Sequence, residues 1–537
     1  MTKARFAVSV AVVLLCGGCA GDGGSDSEGA GDQRLLIVGW DGATYDLIDP
    51  LLAQGALPHL ASLMDRGRTA TLESTKIPIS SAAWPTISTG KGPGEHGVYS
   101  FFRPVEDSYD ARLVSAQDVD APPLWRVLSN RGHTVHVWGV PVTFPPEPVR
   151  GTLVSGMLAP EEASYAHPAE LTTKLRSEGY VPDIGVWRQS AAPYDIDRIE
   201  AQVSIKEALV CEQLRARDWS FSMIVYKSLD VLCHRPVQNL RRDDVLRLLL
   251  RLDKALGAMI EAAGEDTTIM VLSDHGFTEY RRTFNMHRWL VESGYSVTRE
   301  GAKMDELPKG NLAEFKASER AARLGQLKLT ETRAYATEAE GHFGTIRLNR
   351  KGREPLGAVA DDQVEATLSA LEEDLRAIEF SKGTPIVRQV HRGQDLYPGP
   401  KSAHVVPDLI VEFEPEWRCV AATFGQTLTY GEPPFPDHAL MGIFVIAGEG
   451  IKPSTERGHL AQTDIAPMAL HLLGEPIPRS FPGEPHADFL SGNRAVSRID
   501  DKDDRSLVPT AEVYSGGMSE VERHRVESQI KSSGYGN

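Results

Sequence analysis

Six short, almost wholly apolar runs punctuate this sequence: RLLIVGW (34–40), HTVHVWGV (133–140), FSMIVYKS (221–228), TTIMVLS (267–273), DLIVEF (408–413) and GIFVIAG (442–448). Runs of this length without polar alternation read as strands buried on both faces. Between the third and fourth, Val245, Leu248, Leu249, Leu252, Leu256, Met259 and Ile260 recur at three and four, the spacing of one helical face. A helix joining two buried strands is a βαβ crossover, so the chain reads as α/β with a mostly parallel central sheet flanked by helices. A second helical face, Val364, Leu368, Leu371, Leu375 and Ile378, falls in a charged, loop-rich stretch at about 280–405, read as an inserted cap-like segment. The sequence has no internal repeat.

With 41% hydrophobic and 24% charged side chains over 537 residues, the chain has the balance of a globular protein and not of a disordered or collagen-like one. Its net charge of −17 excludes the basic footprint that binding duplex nucleic acid requires. Any phosphate it binds must be held by local charge. Beyond Cys16 and Cys19 there are only Cys211, Cys233 and Cys419, so disulfides do not hold the fold.

Residues 1–18 have the layout of a signal peptide: Lys3 and Arg5, an apolar run from Phe6 to Cys16, then Gly17 and Gly18. The segment resembles a bacterial lipoprotein signal, which implies lipid attachment at Cys19; Cys16 stands where that pattern usually has leucine. Ordinary secretion is the alternative. Residues 19–33, rich in Gly, Ser and Asp, read as a flexible tether. The expected location is the cell envelope, periplasm or outer surface, with a membrane reached through the lipid. Residues 34–490 form the expected catalytic domain. An acidic tail, 491–537, carries a capping box at Ser519–Glu522 that predicts a short helix.

In open α/β sheets the ligand site lies beyond the carboxyl ends of the strands. There the sequence places Asp41 after RLLIVGW, Asp230 and His234 after FSMIVYKS, and Asp274 and His275 after TTIMVLS, while His438 precedes GIFVIAG. A single Asp at a strand end is commonly a helix cap, but capping does not call for histidine. Carboxylate and imidazole together suit zinc or manganese, and six ligands suffice for two open metal sites.

These blocks resemble the alkaline phosphatase superfamily, in its type I phosphodiesterase/nucleotide pyrophosphatase-like branch. The resemblance covers roughly 34–485 and rests on Trp40-Asp41-Gly42, on Ser80-Ser81-Ala82-Ala83-Trp84 running into Thr89-Gly90-Lys91-Gly92, on Asp230 with His234, on Ser273-Asp274-His275-Gly276, and on His438. It implies one divalent metal, usually zinc, on Asp230, His234 and His438. A second would sit on Asp41, Asp274 and His275 with the nucleophile oxygen. Ser80 falls at the nucleophile position and Ser81 is the competing candidate.

The implied reaction is hydrolysis of a phosphodiester or phosphomonoester through a phosphoseryl intermediate, with both metals stabilising an in-line displacement. A transferase or phosphomutase using the same site is the alternative, and a binding protein without turnover is a third reading. The serine block lacks the Pro and Arg of the sulfatase motif, which argues against a sulfatase. Phe101 stands where nucleotide pyrophosphatases have a phosphate-holding asparagine. Blocks at 332–335, 352–355, 407–409 and 463–467 read as structural. His342 is a candidate for a substrate-side contact from the insertion. Pro85, five residues after Ser80, predicts a helix that starts later or bends. Cys233 is read as a small buried hydrophobe on an extended segment.

Overall fold

The computed structural model describes residues 33–182, 195–234, 239–302, 324–381, 383–421, 428–491, 495–509 and 513. The expected signal segment, Cys19 and the helix after Ser519 lie outside them. The strands of the main sheet are β1 (Arg34–Trp40), β2 (Arg68–Glu73), β3 (Val135–Trp138), β4 (Gly151–Val154), β5 (Ala166–His167), β6 (Phe221–Tyr226), β7 (Thr267–Leu272), β8 (Met441–Ala447) and β9 (Arg457–Ala461). Their spatial order is β9-β2-β8-β7-β1-β6-β3-β4-β5.

β1 sits between β6 and β7 and runs parallel to both, as β3 does to β6 and β4. The sheet is therefore mostly parallel, as the apolar runs imply. There are two exceptions: β8 is antiparallel to both β7 and β2, and the edge strand β5 is antiparallel to β4. An apolar run carries no mark of direction, so GIFVIAG looks like its neighbours in sequence and points the other way in space. DLIVEF belongs to a different sheet, four antiparallel strands in the order 334–340, 343–348, 409–413 and 387–392.

Side chains of β1 alternate between two cores. Leu36, Val38 and Trp40 pack with the apolar faces of α3 (Ile196–Ala216) and α5 (Asp243–Ala263), while Leu35 and Ile37 pack with α1 (Ser80–Thr89), α2 (Leu124–Asn130) and α7 (Ile465–Leu472). The predicted crossover helix is α5. It links β6 to β7 across the intervening β1. The second predicted helix is α6 (Val364–Arg376), whose Leu371 and Leu375 join a separate core with Phe284, Ile346 and Trp417.

α1 begins at Ser80, which corrects the expectation of a later start. Pro85 lies far enough inside that only the bond to the Ser81 carbonyl is forgone, and Gly90 in the left-handed region closes the helix. Cys233 is buried as expected, but on α4 (Ser228–Cys233) and not on an extended segment. The structural blocks are tied together. Arg353 pairs with Asp408 at 2.8 Å and with Glu354 at 2.8 Å, and Asp408 accepts the Leu348 N–H.

The start of the tail is fastened down. Arg131, after α2, pairs with Asp504 at 2.6 Å and Glu475 at 3.3 Å and donates to Ser506 Oγ, with 11% of its side chain exposed. Removing one partner strands the buried others, so Arg131→Ala is expected to lower unfolding free energy by about 3 kcal/mol. Urea denaturation followed by tryptophan fluorescence measures it.

Candidate metal centre and nucleophile

Strand register brings the first carboxylates together. Gly39 of β1 pairs with Leu272 of β7, so two residues further on Asp41 and Asp274 leave the sheet side by side. Gly42 then turns with φ +74°, and a Cβ there would meet the Phe277 ring at 2.9 Å. That turn aims the Gly42 N–H at Asp274 Oδ1, 3.3 Å away. On the other side of β1, β6 ends at Tyr226 and the chain turns into α4. Asp230 and His234, four residues apart, share one face of that turn.

His438 arrives from far along the chain. Strand 276–285, which follows His275 directly, pairs antiparallel with strand 429–439, setting Phe277 opposite His438. The Phe277 ring lies 5.1, 5.9 and 4.9 Å from the rings of His234, His275 and His438, and the His275 and His438 rings stack at 3.8 Å.

The six residues converge. His234 Nε2 is 3.0 Å from Asp230 Oδ1, and His438 Nε2 is 3.2 Å from that oxygen and 2.8 Å from His234 Nε2. His275 Nε2 is 3.4 Å from Asp274 Oδ2 and 3.7 Å from Asp41 Oδ1. Two groups have all ligand atoms within 4.8 Å of one another: Asp230, His234 and His438, and Asp41, Asp230 and His275. Asp230 belongs to both. Ser80, the first residue of α1, has its Oγ 3.3 Å from His275 Nε2 and 3.5 Å from Asp41 Oδ1. Ser81 Oγ is buried without a hydrogen-bond partner, so it makes no hydrogen bond to the cluster.

Burial raises the Asp41 carboxyl well above its ordinary range, reinforced by Asp274 and Asp230. Burial and Asp230 push Asp274 up to about 7. Against burial, His234 and His438 hold Asp230 well below the usual carboxylate range. Burial, with His438 beside it, keeps His275 neutral. Against burial, Glu340 and Asp230 lift His438 to about 9.

This donor set fits divalent metal. Three buried carboxylates repel one another, and Asp274 Oδ2 has no hydrogen-bond partner. The imidazoles are oriented from behind: His438 Nδ1 donates to the Pro78 carbonyl at 2.8 Å and His275 Nδ1 to the Gly276 carbonyl at 3.1 Å, turning both Nε2 lone pairs inward.

Three supporting groups escape a reading of ligand types alone. Trp84 Nε1 donates to Asp41 Oδ2 at 3.0 Å, Lys227 adds positive charge near Asp41, and Gln462 donates to the Asp274 carbonyl. Trp84 carries a signal: four residues after Ser80, it lies on the same helical face. His342 is buried, at about 4 through burial, and its Nδ1 meets Tyr280 Oη, which donates to the His438 carbonyl at 2.8 Å. It reaches the cluster through Tyr280. Phe101 is half-buried and its ring offers no donor to a phosphate.

The sequence pattern of the type I phosphodiesterase / nucleotide pyrophosphatase family matches residues 35–429. No curated protein sequence matches the chain. Among solved structures, phosphonoacetate hydrolase from Sinorhizobium meliloti, in complex with phosphonoacetate, superposes with a TM-score of 0.56 at 14% identity, over 82% of this chain and 96% of that one. Murine ectonucleotide pyrophosphatase / phosphodiesterase 5 gives 0.51 at 14%, over 86% and 100%. An inactive threonine-to-alanine form of the murine protein was solved with AMP. These likenesses establish the fold.

Two outcomes test the centre. Trp84→Phe, which removes the hydrogen bond on Asp41, is expected to weaken metal binding roughly 10- to 100-fold, read by competition with a chromophoric chelator. Ligands must be deprotonated to bind metal, and His438 and Asp274 hold protons up to about 9 and about 7. Zinc uptake by stripped protein should therefore release protons and weaken as pH falls through that interval; calorimetry in buffers of different ionisation enthalpy measures both.

Proposed function

The chain belongs to the type I phosphodiesterase / nucleotide pyrophosphatase family of the alkaline phosphatase superfamily, and we propose that it hydrolyses a phosphodiester or phosphomonoester through a phosphoserine at Ser80. It is a phosphoric ester hydrolase by that membership, and the family works with divalent metals, typically zinc. The observation that carries the finer reading is the Ser80 hydroxyl at the head of α1, within 3.5 Å of both Asp41 and His275.

Asp230, His234 and His438 would hold one metal. Asp41, Asp274 and His275 would hold the other, with Asp230 close to both. Bound there, the metals supply Lewis acidity at the reacting phosphoryl group. The residues do the rest. Trp84 fixes Asp41, and the neutral His275 Nε2 orients the Ser80 hydroxyl. The N-terminal end of α1 favours the anionic substrate. Ser80 Oγ forms a bond to phosphorus as the ester oxygen leaves with a proton. Water then breaks the Oγ–P bond, releasing phosphate or a monoester and restoring the serine.

We infer further that the chain is exported and held at a membrane by lipid on Cys19, with 19–33 as tether. Among the described residues no helix is long and apolar enough to cross a membrane.

Ser80→Ala is expected to abolish turnover of paired chromogenic monoester and diester substrates while metal content, by atomic absorption, stays unchanged; Ser81→Ala should remain active. The reverse pattern moves the nucleophile by one residue. Retention of Cys19→Ser in the membrane fraction would refute the anchor.

A further inference from the structure

Tyr335, Arg353 and Glu354, from two sequence blocks that the catalytic centre does not use, line a cavity of about 220 Å³. It is bounded by the turn between strands Phe102–Pro104 and Ala111–Leu113 and by Arg347 of strand Phe343–Leu348 in the insertion. None of the six candidate metal ligands lines it.

Most of the charge on its wall is already matched. Arg353 pairs with Glu354 and with Asp408, both at 2.8 Å, and Glu354 also accepts the Arg350 N–H at 2.8 Å and the Tyr335 hydroxyl at 3.4 Å. Burial, with Arg103 and Arg347 nearby, holds His404 below its ordinary value against the pull of Glu106, so that imidazole is neutral. Arg347 is different. It is 5% exposed, yet its guanidinium donates one hydrogen bond, from Nη2 to the His404 carbonyl at 2.9 Å, and forms no ion pair with any described residue. A guanidinium has five N–H groups. Those on Nε and Nη1 have no partner here, and neither nitrogen is shut off from the cavity. A cation this deeply buried without an anion costs free energy. The opposite charge stands at the mouth: Glu106 and Asp107, on the hairpin turn, line the cavity, are exposed and pair with no described cation.

We propose that this cavity binds an ω-amino carboxylate, its carboxylate on the open N–H groups of Arg347, its ammonium toward Glu106 and Asp107, and its alkyl chain against Pro104, Val105 and Tyr335. The buried guanidinium sets the polarity, because the carboxylate is the end that relieves an unpaired buried charge, while the ammonium stays where water reaches it. One ammonium answers two carboxylates in part, and both of these keep their water. A plain carboxylate would meet their repulsion at the mouth, and a plain amine would leave Arg347 unpaired, so neither half suffices.

The test is calorimetric titration of the metal-loaded protein with δ-aminovalerate, valerate and pentylamine. The proposal expects one δ-aminovalerate per chain, with pentylamine roughly 10-fold weaker or more and valerate about 5-fold weaker. Arg347→Gln should weaken δ-aminovalerate roughly 10-fold, with circular dichroism reporting folding. The double variant Glu106→Gln with Asp107→Asn, on the exposed turn, should weaken it about 5-fold and leave valerate no weaker. Absence of δ-aminovalerate binding overturns the site, as does valerate or pentylamine bound equally tightly. So does unchanged δ-aminovalerate affinity in the double variant, which decides the matter even where Arg347→Gln does not fold.

Discussion

Three carboxylates that water cannot reach dominate this structure. Asp41, Asp230 and Asp274 are each 2% exposed or less, and the fold spends stability to hold like charges at the end of one sheet. Each is constrained differently. Asp41 takes an indole hydrogen bond, Asp274 a backbone N–H with its other oxygen left over, and Asp230 two imidazoles. The result is a graded set, one carboxylate firmly ionised between two held near protonation. Such a set is costly in an empty protein and favourable around dications, which is why the fold and its chemistry cannot be separated.

The surrounding architecture follows from holding that set in place. A parallel core of β6, β1 and β7 ends three strands at one level, so their next residues converge without long loops. The remaining imidazole cannot come from the same pattern, because β8 runs the other way. It comes from the strand before β8, paired against the strand that leaves His275. Phe277, on that second strand, keeps three imidazoles at fixed spacing with a ring that cannot itself compete for metal.

What could be read in the sequence divides along physical lines. RLLIVGW, FSMIVYKS and TTIMVLS are strands because an unbroken apolar run has to be buried on both sides, and α5 is a helix because its apolar residues fall on one face. Asp41, Asp230, His234, Asp274 and His275 stood out because strand ends rarely gather both ligand types. Strand direction was not readable: GIFVIAG and DLIVEF share the signature of the parallel strands, and pairing partners alone decide where each goes. Nor were the Pro78 and Gly276 carbonyls or the Gln462 amide, since backbone acceptors and lone amides leave no pattern. Pro85 misled only as to where α1 begins, because its restriction acts on one carbonyl and the helix is formed from Ser80 onward.

The pairing of strand 276–285 with strand 429–439 also sets an order of assembly. Asp41 is made early during synthesis, but His438 emerges almost four hundred residues later and reaches the cluster only once that pairing has formed. For much of its synthesis a nascent chain thus displays Asp230 and His234 without the third donor of their group. That donor set is complete only in the finished chain, so the compartment in which folding ends sets which ions could meet it.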